Sequence, residues 1–201
     1  MKEKILKTST DLFLNYGFKN VTMDEIAEEL GISKKTIYTH YHNKAKLVQH
    51  CSSTLFKEIT DHIDNIVAKD QNPIVELQQV HRYTLQRLRE EDFSPQFQLE
   101  KYYPRIYSAL QEKKITYMRS YMVNNLTKGM QQGYYRPDLD VEVVYNFYFM
   151  TLEGIRNSKF YTLKSYSIPF LVKHFLNYHL RGIASEKGLE YINNLSKSGD
   201  S

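Results

Sequence analysis

Long apolar runs are missing from this sequence. Its most apolar stretch, Val143 to Ile155, is shorter than the roughly 20 residues that cross a bilayer, and Glu153 interrupts it. A transmembrane span is therefore not expected. Met1-Lys2-Glu3-Lys4 leads straight into an amphipathic pattern without the apolar core of an export signal, so a cytoplasmic protein with no membrane partner is expected. Cysteine is nearly absent: Cys51 stands alone, cannot form an internal disulfide, and fits a reducing compartment. It lies on an apolar helical stripe and reads as a buried small hydrophobe. Alternating strand patterns, internal repeats and low-complexity tracts are missing too. So are the short catalytic signatures, among them H-E-x-x-H, G-x-S-x-G, the Walker lysine loop and the dinucleotide-binding glycine run. His174 and His179 do not share one helix face closely, which makes them a poor metal pair. No enzyme, cofactor or metal is expected.

What is present has the composition of an ordinary soluble domain, with 41% hydrophobic and 25% charged residues and a mean hydropathy of -0.55. The 201 residues are enough for a small head joined to a larger body. A net charge of +4 says little about partners, but its distribution says more. From Ser33 to Lys46 there are four lysines (Lys34, Lys35, Lys44, Lys46) and no acid, while Asp24, Glu25, Glu28 and Glu29 lie just before and read as a solvated face.

Helical periodicity runs throughout, and the expected fold is all-α: a three-helix head with a helix-turn-helix over residues 1–46 and a larger helical body over 47–201. Ile5, Leu6, Leu12, Phe13 and Tyr16 define the apolar face of the first helix, with Gly17 as a left-handed stop. Thr22 to Glu25 is a T-x-x-E capping box opening a short helix that turns Ile26, Ala27 and Leu30 inward. Gly31 suits a tight turn, Ile32 plugs the core beside it, and Ser33 caps a third helix. That helix puts Ile37 and Tyr41 inside and leaves Lys34, Lys35, Thr36, Thr39 and His40 outside. Asn43 caps a long fourth helix with the stripe Leu47, Cys51, Leu55, Ile59, Ile63 and Ile66. Pro73 opens a fifth carrying Ile74, Leu77, Val80, Leu85 and Leu88. A break follows from Asp92 to Pro95, and Pro104 ends or kinks the next helical stretch. A longer helix runs to about Gln132 and is closed by Gly133. Val141 to Asn157 and Phe170 to Gly182 read as two final long helices, with a frayed tail from Leu195.

A helix that reads DNA must send side chains to phosphates and base edges while its far side is anchored on a core, and Ser33 to Tyr41 is built this way. Lys34 and Lys35 sit at the helix N-terminus, where the helix dipole disfavours cations and a phosphate or guanine would account for them. Tyr38, His40 and Lys44 can donate to phosphates, and so can Thr22 at the start of the second helix. The run Val21-Thr22-Met23-Asp24-Glu25-Ile26-Ala27, then Leu30-Gly31-Ile32-Ser33, Thr36-Ile37-Tyr38-Thr39-His40-Tyr41 and Asn43-Lys44-Ala45-Lys46-Leu47 resembles the TetR family of bacterial repressors in order and spacing. The resemblance implies that Lys35, Thr36 and Thr39 face bases, that Tyr38, His40, Lys44 and Thr22 hold phosphates, and that Lys34 does either. Ordinary surface and packing roles are the competing account of each residue.

In the body the resemblance is thinner. Gly133-Tyr134-Tyr135-Arg136-Pro137-Asp138-Leu139-Asp140 and Leu180-Arg181-Gly182 resemble the stretches that flank the family's two dimerisation helices. Val144, Phe147, Phe149, Leu152 and Phe175 are the apolar residues expected to need cover there, from the chain itself or from a partner across a two-fold axis. All but Tyr16, Tyr38 and Tyr41 of the 17 tyrosines lie after residue 50, as core or as lining for an apolar or aromatic effector. The expected pocket lies beside the C-terminal half of the fourth helix, walled by residues 77–88, 97–107 and 117–121. Phe97, Tyr103, Tyr107, Tyr117 and Tyr121 would be its rings, and His81, Arg82 and Glu100 its polar anchors unless they are plain surface. The function expected is a ligand-responsive repressor that binds a pseudo-palindromic double-stranded DNA operator as a homodimer. An activator of the same build, or a helical small-molecule-binding protein without operator binding, are the alternatives.

Overall fold

A computed structural model describes residues 1–87, 95–156 and 165–197, and among them the regular structure is α-helical apart from one isolated bridge between Tyr135 and Ala184. The order is α1 (Lys2–Tyr16), α2 (Met23–Leu30), α3 (Lys34–His40), α4 (Lys44–Val67), α5 (Pro73–Arg87), α6 (Pro95–Tyr102), α7 (Pro104–Gln131), α8 (Val141–Arg156), α9 (Ile168–Ile183) and α10 (Glu186–Lys197). Packing divides the chain into Met1–Ile63 with Glu91–Thr116, and Asp64–Glu90 with Tyr117–Ser201. The dividing line crosses α4 and α7 rather than falling in a linker.

The first unit closes around Ile5, Phe13, Phe18, Ile26, Ile37, Tyr41, Leu47 and Leu99, with Tyr103, Ile106, Tyr107 and Leu110 packed against that core. Fully burying an aliphatic or aromatic side chain of this kind contributes about 1.5–3 kcal/mol. Tyr16, expected on the inner face of α1, is 64% exposed, and Phe18 and Val21 beyond the helix end are buried instead. Gly17 has a positive φ of 87° but an extended ψ of 152°, not the left-handed helical stop expected of it. The reason lies across the unit. A Cβ at Gly17 would overlap the side-chain amide of buried Gln98, whose Oε1 accepts from Lys19 N at 3.1 Å. Leaving α1 extended carries that N–H to Gln98, a conformation and closeness that glycine permits.

In the second unit the proline and glycine punctuation falls as expected. Pro73 begins α5 and Gly133 turns the chain with φ 74°, as Pro104 in the first unit begins α7 after the non-helical Tyr103. Ile74, Leu77 and Val80 are buried along α5. A polar network ties α5 to α7: Glu76, 2% exposed, accepts from Asn125 Nδ2 at 2.8 Å and from Lys128 Nζ at 3.2 Å. Asn125 Nδ2 also donates to Pro73 O, and Tyr135 OH donates to Asn125 Oδ1. A buried charge is tolerable only with such partners. Helix α10 was not expected. Ser185 starts it, its Oγ accepting from Gly188 N at 3.1 Å. Inward Leu88, the start of the break at Asp92, the helix end at Asn157 and the tail beyond residue 197 lie outside the described residues.

Candidate nucleic-acid interface

Each short helix of the head is held by local chemistry that the sequence spells out. Thr22 Oγ1 accepts from Glu25 N at 3.2 Å and Glu25 Oε2 accepts from Thr22 N at 2.6 Å, a complete capping box. Gly31 closes α2 in the left-handed helical region, φ 62° and ψ 34°. Ser33 Oγ accepts from Thr36 N at 3.1 Å to cap α3, and Asn43 Oδ1 accepts from Lys46 N at 2.8 Å at the start of α4. Seven residues are too few for a helix to persist alone, so α3 depends on burial of Ile37 at 0% and of Tyr41 at its end at 2%.

That anchoring leaves the other faces of α3 to solvent. Lys34, Lys35, Thr39 and His40 are exposed, Tyr38 is 40% exposed, and Thr36 is half-buried. The side chains of five of the expected DNA residues already have partners in the free protein. Lys34 Nζ pairs with Asp24 at 2.7 Å, and that hydrogen bond raises its pKa against a small loss of hydration. Asp24 is therefore part of this pair rather than simply a solvated acid. The Thr22 hydroxyl is engaged with Glu25, 3.1 Å from its carboxylate. Lys44 Nζ donates to Lys19 O at 3.1 Å and stands 6.0 Å from the centre of the Phe13 ring. Burial lowers its pKa against the pull of Glu25. Thr36 Oγ1 lies 2.8 Å from Ser33 Oγ, and Thr39 Oγ1 donates to Thr36 O. Chemically, this is a face of ammonium, imidazole and phenol groups on a rigid scaffold, suited to a polyanion with a groove.

The residues expected to line an effector pocket fall into both units. In the first, Phe97 and Glu100 are exposed, while Tyr103 and Tyr107 pack against the head core. Phe18 meets Tyr103 edge-on at 6.5 Å, and Tyr107 OH accepts from Gln111 Nε2. A cleft of about 190 Å³ in this unit lies between Gln49 and Ser53 of α4 and Arg105, Ile106 and Lys113 of α7, and none of the expected residues lines it. In the second unit Arg82 is exposed, Tyr117 OH donates to Asp64 Oδ1 at 2.7 Å, and His81 and Tyr121 are buried. His81 Nε2 lies 2.6 Å from Tyr148 OH. Tyr148 and His179 were not foreseen beside it; the sequence signal was only an aromatic-rich helix and a histidine on an apolar face.

The exposed apolar face of the body also differs in detail from expectation. Phe147 is 67% exposed, but Leu152 is buried and Val144, Phe149 and Phe175 are half-buried against their own unit. The outward large apolar residues on α8 are Val143, Phe147 and Met150, and on α9 they are Ile168, Phe170 and Tyr178.

Residues 5–51 match the family profile described as bacterial regulatory proteins, tetR family. The chain is 25% identical over 149 residues to the transcriptional repressor KstR2 of Mycobacterium tuberculosis, covering 72% of this chain and 74% of that one. It is 28% identical over 110 residues to the biofilm-operon negative transcriptional regulator IcaR of Staphylococcus aureus, covering 55% and 53%. Among solved structures, the ketosteroid regulator KstR2 superposes with a TM-score of 0.60 at 22% identity over 92% of this chain and 95% of that one. A transcriptional regulator of Saccharomonospora viridis in complex with choline gives 0.70 at 18% identity over 92% and 98%.

Proposed function

Because the chain belongs to the TetR family of bacterial regulatory proteins, DNA-binding regulators rather than enzymes, we propose that it is a repressor that binds a pseudo-palindromic operator as a homodimer and is released by a small molecule. The observation that carries the reading is α3. It is a capped helix pinned by Ile37 and Tyr41, with Lys34, Lys35, Tyr38, Thr39 and His40 exposed around its other faces. In this reading Lys35, Thr36 and Thr39 meet base edges, and Tyr38, His40, Lys44 and Thr22 meet phosphates. Lys34 exchanges Asp24 for DNA.

Dimerisation is supported by Val143, Phe147 and Met150, one helical face of α8, together with Phe170 and Tyr178 of α9. An apolar face of this kind calls for cover. A two-fold pair of α8–α9 hairpins would supply it, and would set two recognition helices about 34–36 Å apart or a multiple of that. The effector half of the reading is supported by the relatives described as a ketosteroid regulator and as a choline complex, and by the buried aromatic interior of the second unit. The domain boundary proposed, between residues 46 and 47, separates the DNA-reading head from everything that answers to the effector.

The test is a gel shift of the purified chain on fragments from around its own gene, with light scattering alongside. Retarded DNA and a dimer mass are expected. Absence of binding to every fragment, or a monomer at micromolar concentration, would remove the reading. Phe147→Asp with Met150→Asp should yield monomers that bind operator far more weakly while the head stays folded.

A further inference from the structure

Among the described residues, the interior of the second unit holds two polar side-chain atoms without a hydrogen-bond partner. Tyr121 of α7 is 6% exposed and its hydroxyl has no hydrogen-bond partner; His179 of α9 is 8% exposed and its Nε2 has none either. Buried polar atoms without partners are uncommon because each has given up water for nothing. These two are neighbours of one residue. The Tyr148 ring of α8 lies 5.1 Å from the His179 ring, and the Tyr148 hydroxyl is 2.6 Å from His81 Nε2 of α5. Tyr121 is within electrostatic reach of Tyr148 as well, and Phe175 closes the group at 5.7 Å from the Tyr148 ring. Four helices thus bring phenols, imidazoles and a phenyl ring to one place.

We propose that Tyr121, His179 and the hydrogen-bonded pair His81–Tyr148 form the polar end of a binding site for a neutral ring compound bearing a keto or hydroxyl oxygen. The proposal rests on the ligand-responsive reading above and names the ligand class.

The chemistry selects this class. A phenol and a neutral imidazole nitrogen both offer hydrogen bonds to an uncharged oxygen, and flat rings around them suit a flat apolar body. Burial holds His179 neutral, with its pKa lowered to about 4. The charged group that Tyr121 faces is Glu76, already occupied by Asn125 and Lys128. No cation is therefore offered to a carboxylate ligand by these residues. A quaternary ammonium would suit the rings but would leave both polar atoms unbonded.

Calorimetry on the full chain without DNA tests the site, using indane, 1-indanone, 1-indanol and indane-1-carboxylate. These share one ring frame and differ in the oxygen. The ketone and alcohol should bind about tenfold or more tightly than indane and the carboxylate. Tyr121→Phe and His179→Phe should each erase most of that preference, the ratio of 1-indanone to indane affinity falling toward one, and 1-indanone should move the His179 imidazole nitrogen resonance with the same saturation. Equal affinity for indane and 1-indanone, an unchanged preference in both variants, a still His179 resonance at saturation, or no binding by any of the four at millimolar concentration would overturn the proposal. A gel shift on the same samples keeps the two readings apart. Loss of operator binding by the wild-type chain counts against the regulator, and the calorimetry alone decides the site.

Discussion

The head and the body dispose of their polar groups in opposite ways. In the head, polar side chains are spent at helix ends a few residues away: the Thr22 hydroxyl with Glu25, the Ser33 hydroxyl with Thr36, the Asn43 amide oxygen with Lys46. In the body they are buried and paired across the fold, Glu76 with Asn125 and Lys128, His81 with Tyr148. The surfaces are reversed to match, with a polar, lysine-bearing face on α3 and an apolar face on α8 and α9. Local capping makes a small unit rigid while leaving Lys35, Tyr38 and His40 outward, where a polyanion can meet them. Long-range pairing instead ties the helices of the interior to one another, so that removing one member strips partners from the others.

The contrast predicts where substitution hurts most. Glu76→Ala should cost about 3–5 kcal/mol, because it strips partners from buried Asn125 and from Lys128. Urea unfolding of the variant checks this, and a loss below that of a surface carboxylate would break the comparison. Next comes acid sensitivity. Burial depresses His179 to about 4 from an unfolded value near 6.5. Between those values the unfolded chain binds the extra proton. Its stabilisation is therefore complete above the unfolded value and is lost as pH falls toward the folded one, by about 3 kcal/mol over the window. The His179→Phe variant should show a shallower loss of stability between about pH 6.5 and 4 than the wild type, and parallel pH profiles would contradict the burial. Smallest is the cap: Thr22→Ala should cost about 1 kcal/mol of stability, read as a lowered melting temperature.

The same contrast explains what could be read from the sequence. The Thr22–Glu25 capping box, Gly31, Ser33, Asn43 and the proline starts of α5 and α7 act within a few residues, so their letters carry their geometry. Gly17 was legible as a stop but not as an extended one, because the reason is Gln98, 79 positions from the Lys19 that it accepts from. The Asp24–Lys34 pair crosses the helix-turn-helix and looked like two unrelated surface charges. Helix α8 is apolar on several sides, so periodicity could not tell inward Leu152 and Tyr148 from outward Val143 and Met150. Helix α10 carries Gly188, Asn193 and Asn194, weak helix formers that hide it. The Tyr121–His179 cluster depends on four helices meeting, which no single stretch of sequence encodes.

We propose that Lys35 and Thr39 of α3 read bases while Tyr38 of the same helix and Lys44 of α4 hold the backbone, and a single-position mismatch scan of the operator with four variants tests this most directly. Lys35→Ala and Thr39→Ala should flatten the penalty at particular operator positions, by about 1–3 kcal/mol for each good base contact. Lys44→Ala and Tyr38→Phe should weaken every sequence by about the same factor and, for the lysine, reduce the salt dependence by about one counterion. Two groups of variants with the same mismatch profile would contradict the assignment of roles on this face.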